Sequence, residues 1–138
     1  MNLEPSNQVS LEGHQNCLLD LINLYLKNVL PNKILLSGEK GIGKCTLSYH
    51  LINYVLSYNE ENSYDLENFQ INNENKDFKL IQNKSNPNFI LIDLMFEKKN
   101  IDIQQIRNLI NTLNKSSFNS KPRFVLIDNI ELLNLNSI

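Results

Sequence analysis

Ile34-Leu-Leu-Ser-Gly38-Glu-Lys-Gly41-Ile-Gly43-Lys44-Cys45-Thr46 packs three of the chain's four glycines between an apolar run and a helical pattern. The order has a physical reading. A strand delivers the chain, glycines let backbone amides curl round an anion, and the following helix points its positive end at the same spot. Gly-x4-Gly-Lys in this setting implies a phosphate-binding loop, with Gly38, Glu39, Lys40, Gly41, Ile42 and Gly43 forming the cradle and Lys44 adding a mobile cation. The alternative is a glycine turn that joins strand to helix and holds nothing.

One position departs from the pattern. The residue after the lysine is normally Ser or Thr, whose hydroxyl is a hard ligand for nucleotide-bound magnesium. Here it is Cys45, and a thiol prefers softer metals. Thr46 follows one residue late, about 100° further round a helix, so its hydroxyl does not take over the magnesium position, although it could still reach a phosphate oxygen. Nucleotide binding, with ATP as the expected cofactor, is therefore separable from hydrolysis, and magnesium would be held poorly.

Working outward, Leu18, Leu21, Ile22, Tyr25, Leu26 and Val29 recur at helical spacing, predicting an amphipathic helix within Leu11–Leu30 that ends at Pro31. Lys33–Ser37 reads as a short parallel strand buried on both faces. Thr46–Leu56 predicts a second helix packed through Leu47, Leu51, Ile52 and Val55, with Tyr54 and Tyr58 at its rim. Residues 59–77 turn rich in asparagine and acid, which reads as a solvated insertion. Phe89–Leu94 and Phe124–Ile127 predict two further buried strands, and Asp102–Leu113 a helix between them, capped by Asp102. This alternation is that of an α/β parallel sheet flanked by helices.

Asp128 closes the last strand. A carboxylate there would face the crevice of the phosphate loop and hold a magnesium-bound water as an outer-sphere contact, unless it merely caps the next turn. Asn129 follows where many ATPases place a glutamate, and an amide cannot accept a proton from the attacking water. Glu131 lies further on. No catalytic residue and no direct metal ligand is therefore assigned.

The 138 residues suffice for one small domain, and a net charge of -2 argues against non-specific polyanion binding by the whole chain. No apolar run approaches the roughly 20 residues that span a bilayer and no signal peptide opens the chain, so a cytoplasmic protein without a membrane partner is expected. Cys17 and Cys45 lack partners at disulfide or zinc spacing. His14 and His50 read as surface or capping residues. Lys115, Lys121 and Arg123 around Phe118 read as a solvated loop rather than a nucleic-acid contact.

Leu11-Glu-Gly-His14, the helix before Pro31, the loop itself, Asn86-Pro-Asn88, Ile101-Asp-Ile-Gln-Gln-Ile-Arg107 and Phe124-Val-Leu-Ile-Asp-Asn-Ile-Glu-Leu-Leu-Asn134 together resemble the AAA+ clamp-loader family. Within that family they look most like the delta-prime subunits of bacterial DNA polymerase III. The resemblance implies a P-loop NTPase (AAA+) fold over 1–138, incomplete at its C-terminus, with the family's lid and collar domains absent from this chain. It implies a non-hydrolysing subunit of the DNA polymerase III holoenzyme in a hetero-oligomeric ring with other clamp-loader subunits, helping to place the sliding clamp on primed DNA. The zinc-binding cysteines common in this family are absent from the sequence, and so is its Ser-Arg-Cys segment. An active AAA+ ATPase of another branch and a structural module with a vestigial P-loop are the competing readings.

Overall fold

A computed structural model describes residues 4–36, 43–93, 104, 107–108, 111 and 121–128. The chain divides into two compact units, 1–85 and 86–138. The first is helical, built round α2 (Lys44–Leu56), against which pack α1 (Gln15–Leu26), α3 (Lys76–Gln82) and a single 3-10 turn at Pro5–Asn7. Leu47, Leu51, Ile52, Val55 and Leu56 of α2 are all buried, as are Thr46, Tyr49, His50 and Asn53, so α2 is a central helix wrapped on most sides rather than an amphipathic surface one.

α1 buries Leu18 and Ile22 but leaves Leu26 exposed, and Val29 beyond its end is exposed as well. The helix stops earlier than Pro31 because Asn28 turns left-handed (φ 60°). Its N–H then donates to the Tyr25 carbonyl at 2.9 Å, and the Val29 N–H to the Leu24 carbonyl at 2.9 Å, satisfying the last carbonyls of the helix. The apolar period beyond Leu26 therefore does not stay on a helix.

The asparagine-rich segment is only partly solvated. Asp65 and Gln70 exchange both backbone hydrogen bonds, at 2.9 and 3.0 Å, to close a small hairpin. Its return limb pairs with the N-terminal segment through Leu11 N–H to Phe69 O (3.0 Å) and Ile71 N–H to Val9 O (2.8 Å). Tyr64, Ile71, Asn75 and Asp77 are buried, while Glu60, Glu61 and Asn62 face solvent. Scattered apolar residues thus suffice to pin a polar loop onto α2. Asn75 then caps α3, its Oδ1 accepting the Phe78 N–H at 2.9 Å, and Phe78 and Ile81 face the core.

Lys33–Leu36 does not form the expected strand. Ile34 is 43% and Leu35 73% exposed, and the residues are irregular. A short apolar run becomes a strand only when neighbours supply its ladder, and among the described residues nothing pairs with it. Ser37 lies outside the described residues.

The second unit contains two parallel strands, β1 (Phe89–Asp93) and β2 (Phe124–Asp128). Their sequences, FILID and FVLID, are nearly identical, and they pair with Phe89 opposite Phe124 and Asp93 opposite Asp128. The preceding turn is held by the Asn86 Oδ1, which accepts the Asn88 N–H at 2.9 Å, and the Asn88 carbonyl accepts the Phe124 N–H at 2.7 Å. Gln104, Arg107, Asn108 and Asn111 are helical, with Gln104 Nε2 donating to Asn108 Oδ1 one turn on at 3.1 Å. The described fold is therefore α/β, with three helices and a two-stranded parallel sheet in place of the three strands expected.

Candidate nucleotide site

The glycine-rich loop enters α2 through Gly43, which stands at the N-cap position with φ 90° and ψ 18°. That conformation is costly for any residue with a Cβ, so this glycine is required by backbone geometry. Space is not the constraint: a Cβ there would lie 3.6 Å from His14 Cδ2, an ordinary contact. The intrahelical ladder begins with the Leu47 N–H donating to the Gly43 carbonyl at 2.9 Å, and no side chain caps this end. Lys44, Cys45 and Thr46 form the first turn of α2, the end of a helix that attracts anions.

Lys44 and Cys45 are half-buried at the mouth of the helix. Thr46 is buried, turned toward the interior of the helical unit with Leu47. Ser48, one turn on from Lys44, donates back to the Lys44 carbonyl at 3.1 Å. Gly38, Glu39, Lys40, Gly41 and Ile42 lie outside the described residues. The donors that are described suit a phosphate: helix amides beside an ammonium. They do not suit magnesium, because the first side chain able to ligate it is a thiol.

His14 was not expected here. It follows Gly13 (φ 83°) and is itself left-handed (φ 61°), so two consecutive positive-φ residues turn the chain into α1 and bring the imidazole beside Gly43. No periodicity links positions this far apart, and only the packing of α1 on α2 brings them together.

In the other unit Asp128 ends β2, half-buried, with Asp93 level with it at the end of β1. The register places two acidic residues side by side where only Asp128 stood out in the sequence. Among the described residues no three His, Cys, Asp or Glu side chains gather as a metal site, and no helix is long and apolar enough to cross a membrane.

A buried polar cluster surrounds His50, the other histidine. It is fully buried, with Nε2 2.9 Å from the Gln8 carbonyl and Nδ1 2.7 Å from the Tyr64 hydroxyl. A carbonyl only accepts, so Nε2 carries the proton and Nδ1 accepts from Tyr64. Burial lowers the His50 pKa, partly opposed by the bond to Gln8, and raises that of Tyr64 far above the ordinary tyrosine value. The cluster is neutral and structural, tying α2 to the N-terminal segment and to the hairpin.

Residues 13–138 match a protein family described as DNA polymerase III, delta subunit. The match spans nearly the whole chain, including the loop, α2 and both strands. This chain belongs to that family. Membership gives the chain a clamp-loader-type role in DNA polymerase III, within the AAA+ clamp-loader family. No curated protein and no solved structure matches the chain.

Proposed function

We propose that this chain is a delta-prime-like clamp-loader subunit that binds ATP through its P-loop without hydrolysing it, and that it works in the cytoplasm as a fixed member of the loader ring, beside subunits that act on the sliding clamp and primed DNA. The observation that carries the nucleotide reading is the start of α2, where a left-handed Gly43 opens a helix whose next residues are Lys44 and a thiol. Amides and ammonium supply the phosphate attraction. Cys45 withholds the magnesium ligand, and Asn129 the proton acceptor. In this reading the fold is of the P-loop NTPase kind.

The test is calorimetric titration of the full chain with ATP, with and without magnesium, alongside phosphate release. Binding that is nearly indifferent to magnesium, weakened at least tenfold by Lys44→Ala and accompanied by no turnover, is expected. Turnover abolished by Lys44→Ala would instead favour an active ATPase. Equal affinity in wild type and Lys44→Ala would make the loop vestigial.

A further inference from the structure

Four of the chain's five tyrosines meet in one cluster of the helical unit. Tyr25 of α1 stands edge-on to Tyr54 and to Tyr58, at ring-centre distances of 6.4 and 6.2 Å and interplanar angles of 89° and 83°. Tyr54 in turn stands 6.1 Å from Tyr64 at 76°. Three of the four, Tyr54, Tyr58 and Tyr64, line a cleft of about 190 Å³ together with Asn59 and Ser63. Tyr58 is 44% exposed, whereas Tyr64 is held rigidly by His50 and by its own N–H, which donates to the Ser57 Oγ at 3.0 Å. One wall is thus fixed and the other accessible.

The stretch of chain that supplies the cleft is acidic. From Asn53 to Asn75 the chain carries Glu60, Glu61, Asp65, Glu67 and Glu74 and no lysine or arginine. Glu60 and Glu61 are exposed in the turn that follows Asn59, a residue of the cleft. Negative ring faces beside carboxylates attract a cation and repel phosphate.

We infer that this tyrosine cleft receives an arginine side chain from a partner protein chain. The volume takes one long side chain and no folded element. A guanidinium is planar and can lie against a ring face while its N–H groups donate to the oxygens of Asn59 and Ser63, which a compact ammonium does less well. The same field disfavours single-stranded nucleic acid, the other ligand that tyrosine faces serve. The inference goes beyond nucleotide binding and does not depend on it.

The test is an NMR titration of the full chain with N-acetyl-arginine amide, read on the tyrosine ring protons. Saturable shifts confined to Tyr54, Tyr58 and Tyr64 are expected, with a weaker response to N-acetyl-lysine amide and none to the norleucine analogue. Tyr58→Ala, a change at an exposed position, should weaken binding by about tenfold. Tyr58→Phe should retain it, and Glu60→Gln with Glu61→Gln should weaken it and remove its salt dependence. Equal shifts with norleucine amide, equal or tighter binding of lysine amide, a stronger response to a thymidine oligonucleotide, or indifference to Tyr58→Ala would each overturn the assignment.

Discussion

Tyr64→Phe removes one oxygen atom from the centre of the helical unit and little else. The phenyl ring can keep its contacts with His50, whose ring centre is 5.4 Å away, and with Tyr54. What disappears is the hydroxyl that donates to His50 Nδ1 at 2.7 Å, leaving a fully buried nitrogen without its donor. An orphaned buried acceptor costs about 1–3 kcal/mol, more than the net value of an average hydrogen bond, because its lost hydration is not replaced. Urea unfolding of the full chain at pH 7.5, followed by far-ultraviolet circular dichroism, should show that loss as a lower midpoint with an unchanged slope. The same cluster sets a pH dependence. Burial lowers the folded pKa of His50 below 6.5, so near pH 7.5 the imidazole is neutral in both states and contributes no slope. As pH falls through 6.5 the unfolded chain gains a proton that the folded chain refuses, and stability drops by at most about 1.4 kcal/mol per pH unit until the folded pKa is reached. His50→Leu should lose that part of the slope. A Tyr64→Phe variant within about 0.5 kcal/mol of wild type, together with an unchanged slope in His50→Leu, would refute the cluster.

Two further changes probe local structure by the same unfolding measurement. Asn75→Ala removes the cap of α3 and the acceptor that Asn53 Nδ2 reaches at 3.2 Å, so a loss of about 1–2 kcal/mol is expected. Asn28→Gly should raise stability by about 0.5–1 kcal/mol, because the left-handed residue that ends α1 would no longer carry a Cβ.

Parts of the fold were legible because they rest on local rules. The apolar spacing of Leu47, Leu51, Ile52 and Val55 marks α2 wherever it packs, and the runs at 89–94 and 124–127 mark β1 and β2. α3 escaped notice inside a polar stretch, although Asn75 followed by the Phe78 and Ile81 pair was a usable cap-and-face signal. The hairpin at Asp65–Gln70 carried no such pattern, since its register depends on pairing with residues near Ser10.

By itself, the sequence determined the family, the glycine that must stand at the head of α2 and the absence of a hydroxyl after Lys44. Those are properties of residue identity and order. Only the tertiary structure decided that His14 lies beside Gly43, that His50 is sealed between Gln8 and Tyr64, and that four tyrosines from two helices and a loop form one cluster. Each of these joins positions far apart in the chain, and such contacts follow from which helix faces pack together rather than from any period that a single segment displays.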